Sequence, residues 1–214
     1  MAIIQQYDLG EFIRHCQEAG LLTTTIDNSA FFKKAKYIIV EELRRGFETG
    51  TAPDGSSWAP LKHARPNGRS HPLWDTGALV RSIGAGQGHV EQMTGDTFIL
   101  GTNLKYAHIH QYGGTIRGQG KKLSIPLTME AKRAGGARNF PRPLFYLPSK
   151  KPNTGLLAER KMKGKGKKKT PTLVIHYALK DSVTIPARPF IGFSQQLADR
   201  LEDLYAQIVF DRMP

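Results

Sequence analysis

Apolar positions along the chain change period several times, and each change marks an element. Leu9, Phe12, Ile13 and Cys16 recur at helical spacing and predict a short helix over residues 8–19. Asp8 is its candidate cap, Glu11 stands at the capping-box spacing, and Gly20 suits the exit. Phe31, Phe32, Ala35, Ile38, Ile39, Leu43 and Phe47 predict a longer helix from a Ser29 cap to about Thr49, closed by Gly50. Residues 50–72 then read as a loop punctuated by Pro53, Gly55, Pro60, Pro66, Gly68 and Pro72, with Trp58 and Leu61 as apolar anchors. Leu79, Val80 and Ile83 predict a short helix over residues 77–83, capped by Asp75 or Thr76. His89–Met93 and Thr97–Gly101 alternate as a β-hairpin about Thr94-Gly95-Asp96. Residues 105–112 fit one or two helical turns ending at Gly113-Gly114.

The second half is less regular. Leu123–Thr128 and Leu144–Leu147 are short strand candidates, and the stretches AGGAR, PRP, PSKKPN and KGKGKKK around them read as loop or disorder. Leu173–Leu179 and Val183–Ile185 predict strands; Pro186, Arg188 and Pro189 break the run. A final helix over residues 194–209 has Ser194 as cap and Leu197, Leu201, Leu204 and Ile208 on one stripe. No βαβ rhythm and no internal repeat is visible. The order favours an α+β fold, an antiparallel β-sheet packed against N-terminal and C-terminal helices, with a long basic insertion. The expected organisation is a body of residues 1–114 and 171–214 interrupted by a basic, partly flexible insertion over residues 115–170.

Charge sharpens that division. Between Thr115 and Thr170 stand 16 Lys and Arg against two acids, Glu130 and Glu159, so the segment carries +14 of a total of +13 and the rest of the chain −1. Such a segment suits an appendage with its own partner, or a solvated loop. With 39% hydrophobic residues in 214, a real core is within reach. No apolar run approaches the roughly 20 residues that cross a bilayer, so no membrane contact is expected. The N-terminus has no signal-peptide pattern, which places the protein in a cytoplasm. The single Cys16 excludes an internal disulfide and a cysteine-rich zinc site.

Candidate chemistry is sparse. His108 and His110 are two apart and point to different faces of a helix, a poor metal pair. GRSHP lacks the nucleophile-elbow spacing, GAGQG lacks a preceding buried strand, and GKGKKKT lacks the P-loop spacing. Glu41 with Glu42, and Glu202 with Asp203, are adjacent on helices and do not face each other. Cys16 lies on an apolar face. No catalytic residue, cofactor or metal ligand is expected, although His63, His71 and Asp75 would make an enzyme site if the fold brought them together.

Five short pieces stand out in order: PDGSSWAPL from Pro53; LWDTGALVRSI from Leu73; Gly101-Thr102, then Tyr106-Ala107, with Gln111-Tyr112-Gly113-Gly114; and IPARPFIG before the last helix. This set resembles the phage virion morphogenesis family, the tail-completion proteins of the Mu G-like and S-like kind, over residues of about 30–114 and 171–210. The resemblance implies a non-enzymatic structural protein of the virion, in tail or neck, made in the host cytoplasm. It implies tail completion or head–tail joining as a subunit of a homo-oligomeric ring or connector, with other tail or neck proteins as partners.

The motif residues also have direct readings. Phe190 is an anchor and Arg188 a carboxylate partner. Trp58, Tyr106 and Tyr112 are either core plugs or interface anchors. The lysines of the insertion, Lys161, Lys163, Lys165, Lys167, Lys168 and Lys169, have three readings: contact with DNA phosphates, docking on an acidic partner ring, or solvation. The competing function is therefore a sequence-independent nucleic-acid-binding accessory protein acting through this insertion.

Overall fold

The computed structural model describes residues 3–8, 28–63, 65–94, 97–149, 152, 154–163 and 170–211. The chain forms two compact units, one of residues 1–60, 71–113 and 186–214, the other of residues 61–70 and 114–185. Helices and antiparallel sheets together make an α+β fold.

In the first unit, β1 (Ile3–Asp8), β2 (His89–Thr94) and β3 (Thr97–Thr102) form an antiparallel sheet ordered β1-β3-β2. The hairpin β2–β3 pairs His89 with Thr102 through Thr94 with Thr97, as the alternation predicts. The strand β1 has no counterpart in the sequence reading. The helix expected over residues 8–19 lies outside the described residues except for Asp8, which ends β1, and so does Cys16.

Helix α1 (Asn28–Thr49) is long because its apolar residues keep helical spacing for six turns. Phe31, Phe32, Ala35, Ile39, Leu43 and Phe47 are all buried. It stops at Gly50, whose φ of 73° is the left-handed exit; the N–H groups of Gly50 and Thr51 return to the Gly46 carbonyl at 2.9 and 3.0 Å. Helix α2 (Ala78–Gly84) follows Gly77 in the left-handed region, and the Thr76 hydroxyl accepts from the Ala78 N–H at 3.3 Å. Helix α3 (Ala107–Tyr112) is six residues long. The last helix of the unit spans Gln195–Phe210; Ser194 Oγ accepts from Leu197 N at 3.0 Å, and Leu197, Leu201, Tyr205 and Ile208 turn inward.

These helices close over the sheet. Phe31 meets Tyr205 edge-on at 5.4 Å, and Phe32 stacks on Phe98 of β3 at 5.9 Å. Each such side chain, fully buried, contributes roughly 1.5–3 kcal/mol. Polar ties sit at the margins, Lys36 to Glu91 at 2.6 Å and Arg200 to Glu41 at 2.7 Å, and one lies inside, between the buried hydroxyls of Ser82 and Thr102 at 2.8 Å.

The second unit holds β4 (Gly114–Arg117) paired with β9 (Ser182–Ile185), and a four-stranded antiparallel sheet ordered β5-β8-β7-β6. Its strands are β5 (Leu123–Pro126), β6 (Phe145–Pro148), β7 (Thr154–Lys163) and β8 (Thr170–Lys180). Helix α4 (Met129–Arg133), capped by Thr128, packs Ala131 against Tyr177 and Phe140. The helix of residues 195–210 is accordingly α5. The sequence pattern predicts no strand over residues 154–163, yet they form one of ten residues. Its ladder with β8, irregular at Leu157/Ala158, stabilises a sequence with little alternation of its own. Residues 164–169, which carry Lys165, Lys167, Lys168 and Lys169, lie outside the described residues.

Candidate functional site

Three of the sequence pieces converge in the first unit. The segment Pro186–Gly192 forms neither helix nor strand, and its two prolines disfavour a helix through it. It is gripped from three sides. The Arg188 N–H donates to the His110 carbonyl at 2.7 Å. The Gln111 side chain donates to the Ile191 carbonyl at 2.7 Å and accepts from the N–H groups of Phe190 and Ile191 at 2.9 and 3.1 Å. The Trp58 indole N–H donates to the Pro189 carbonyl at 2.8 Å.

Arg188, 4% exposed, turns back to the loop. Its guanidinium donates to the carbonyls of Ala59 and Pro60 at 2.7 and 3.1 Å. A planar fork of donors suits two successive backbone carbonyls of this kind. Trp58 and Phe190 are 6% and 2% exposed, and both pack on Phe47 with ring centroids 5.5 Å away. Gly192 explains itself by close approach: a Cβ there would stand 2.9 Å from the Pro53 side chain. Leu73, opening LWDTG, sits buried at a φ of 60°, a region leucine rarely adopts.

Beside this clamp lies an open cleft of about 410 Å³. Leu43, Ala52, Pro53, Phe190 and Leu197 line it, with Glu42, Arg45 and Asp54 also at its walls. Asp54 is held below the usual carboxylate range by hydrogen bonds from the side chain and backbone of Ser56. Its role is a turn inside PDGSS.

Tyr106 and Tyr112 flank α3 and are 43% and 64% exposed, against His110 at 6.0 Å and His108 at 4.9 Å respectively. Gln111, which sequence reading passes over, carries more of the geometry than either tyrosine. Nothing local distinguishes a glutamine that will pair with backbone 80 residues away.

His71 places Nε2 3.0 Å from the Glu48 carbonyl and its ring against Trp74. His71 and Asp75 belong to the first unit, whereas His63 is exposed in the second.

A second polar cluster, also missed from sequence, joins α4, β7 and β8. Glu130, Glu159 and His176 are the group of three among the described residues with ligand atoms close enough for a metal ion. His176 Nε2 lies 3.0 Å from Glu159 Oε2. The Arg142 guanidinium, however, forks onto Glu159 and reaches Glu130, and Lys161 stands 3.5 Å from Glu159. Arg142 holds Glu159 down to about 2, overcoming its desolvation, and Glu130 is lowered by the same guanidinium. The carboxylates already face two cations of the chain itself, an ion-pair network that ties strand to helix. Lys161 is exposed at the end of this network; Lys163 closes β7.

No helix among the described residues is long and apolar enough to cross a membrane. No solved structure matches the chain. A Haemophilus influenzae protein, the Mu-like prophage FluMu G protein 2, is 36% identical over 84 residues, covering 39% of this chain and 51% of that relative. The chain thus spans about half the length of the curated relative it matches. The model of the phage virion morphogenesis family matches residues 18–135, which include Trp58, the LWDTG piece and Gln111. With that match covering more than half of its length, the chain belongs to the phage virion morphogenesis family, a family of virus-particle assembly.

Proposed function

We propose that this chain completes the tail or joins it to the head, acting as a ring or connector subunit in the assembling virion. The observation that carries the reading is the clamp in which Trp58 and Gln111 hold residues 186–192 while Arg188 of that segment holds the carbonyls of Ala59 and Pro60. Every polar group named in it is engaged with backbone, so its chemistry is that of shaping a surface. Tyr106 and Tyr112 remain exposed at the two ends of the short helix that supplies Gln111. Rigid aromatic side chains on a braced element are the kind that anchor interfaces. The virion morphogenesis family and the similarity to a Mu-like prophage G protein support a role in building the virus particle; the tail or neck is the proposed place, and other tail or neck proteins and further copies of this chain the proposed partners.

Electron microscopy of particles assembled without this protein tests the reading. Headless tails or unjoined heads are expected, restored by supplying the protein in trans. Normal infectious particles in its absence would refute it.

A further inference from the structure

Charge divides with the two units. The unit of residues 61–70 and 114–185 holds 20 Lys and Arg against three acids, a net of +17; the other holds 11 against 15, a net of −4. The three acids of the basic unit sit in ion pairs: Glu130 and Glu159 with Arg142 and Lys161, and Asp181 with Lys122 at 2.6 Å. Lys62, Arg117, Lys121, Arg133, Arg138 and Arg160 are exposed.

Within that unit, one pair of strands outreaches its neighbours. β5 pairs with β8 only over residues 177–180, and β6 pairs with β7 only over residues 155–158. Beyond them β7 and β8 continue as a two-stranded ribbon, setting Arg160 opposite Leu173, Lys161 opposite Thr172, Met162 opposite Pro171 and Lys163 opposite Thr170. From 160 to 169 the sequence has seven Lys or Arg and no acid.

We propose that this ribbon is an arm that binds the phosphate backbone of double-stranded DNA without reading its sequence, with Arg160 and Lys161 as contact residues. A two-stranded ribbon fits the DNA major groove, about 12 Å wide. Lysine delivers a compact charge suited to phosphate, and single-sign charge supplies sequence-independent affinity. Met162, Pro171 and Leu173 are exposed apolar groups on the same ribbon and carry no charge that would oppose phosphate. Strand pairing with another chain is disfavoured by Pro171 and by the charges along the ribbon. An acidic protein partner is the less favoured occupant, because the cores of protein interfaces centre on aromatic anchors and are depleted in lysine. Residues 159–163 and 170–175 contain no aromatic residue. The arm goes beyond the assembly role, since particles can require the protein whether or not it touches DNA.

The test is fluorescence anisotropy of the full chain with a duplex of about 30 bp of mixed sequence, between roughly 50 and 200 mM salt. Binding with a steep salt dependence, equal for unrelated sequences, is expected. Substituting Arg160→Gln, Lys161→Gln and Lys163→Gln together should reduce the slope of log K against log salt by about 0.9 for each phosphate no longer neutralised. At 0.1 M salt the affinity should fall at least tenfold, by roughly that slope. Thr170→Glu with Thr172→Glu should weaken binding in the same direction without removing a lysine. Lys33→Gln with Lys34→Gln, on the exposed face of α1, should leave it unchanged. Absence of binding at the lowest salt overturns the proposal. So does an unchanged slope in both ribbon variants, or binding of polyglutamate that duplex DNA does not displace.

Discussion

The side chain of Gln111 pairs with the backbone of Ile191 at both ends, donating to its carbonyl at 2.7 Å and accepting from its N–H at 3.1 Å. A side-chain amide here replaces the rung of a β-ladder. It does so for a segment whose prolines keep it from any regular partner. The same oxygen takes the Phe190 N–H, so one buried residue satisfies three backbone groups.

Gln111→Ala leaves those three groups buried without this partner, and should destabilise the protein by about 2–4 kcal/mol. Urea denaturation followed by far-ultraviolet circular dichroism measures it. A loss below what one surface hydrogen bond is worth would show that water replaces the amide.

Trp58→Phe keeps an aromatic plug against Phe47 and removes the donor to Pro189. A cost of about 1–3 kcal/mol is expected, and Trp58→Ala should cost about 3–5 kcal/mol through the added cavity. Thermal melting of both variants separates the hydrogen bond from the packing.

Tyr112→Ala should change stability by no more than about 0.5 kcal/mol, since the side chain is largely exposed. If Tyr112 anchors an assembly contact, the same variant should fail to complement particles made without the protein. Full complementation would remove this residue from the interface while leaving the assembly role standing.

Acid should loosen the basic unit through Glu159. Its folded pKa, about 2, lies below the ordinary 4.5, held there first by the Arg142 hydrogen bond. Above pH 4.5 its contribution to stability is fully present. As pH falls from 4.5 toward 2 the unfolded chain takes up a proton that the folded chain refuses, and the contribution is lost. Arg142→Gln should lower stability at neutral pH and flatten this acid dependence. Melting temperatures of both proteins between pH 2 and 6 test it; parallel profiles would contradict the pairing.

Sequence alone determined the parts whose cause is local. The spacing of Phe31 through Phe47 sets α1, the alternation on either side of residues 95–96 sets the β2–β3 hairpin, and the Ser194 hydroxyl starts α5 within a residue of expectation. Glycines at 50 and 77 with positive φ mark the ends of helices because no contact elsewhere is needed to favour them. The family resemblance was legible for the same reason: its pieces are short and contiguous.

Tertiary structure decided the rest. Trp58, Gln111 and Arg188 have no periodic signature of partnership, since their partners are backbone groups 79 to 131 residues away. β7 carries Glu159, Arg160, Lys161 and Lys163, which show no strand pattern of their own until β8 supplies the other half of the ladder. Its charge network with Arg142 and His176 exists only once the strands are in register. Local propensity costs nothing in chain entropy beyond its own residues, so it shows in a window of sequence. A contact between distant residues is stabilised only after the intervening chain is folded, and no window contains its cause.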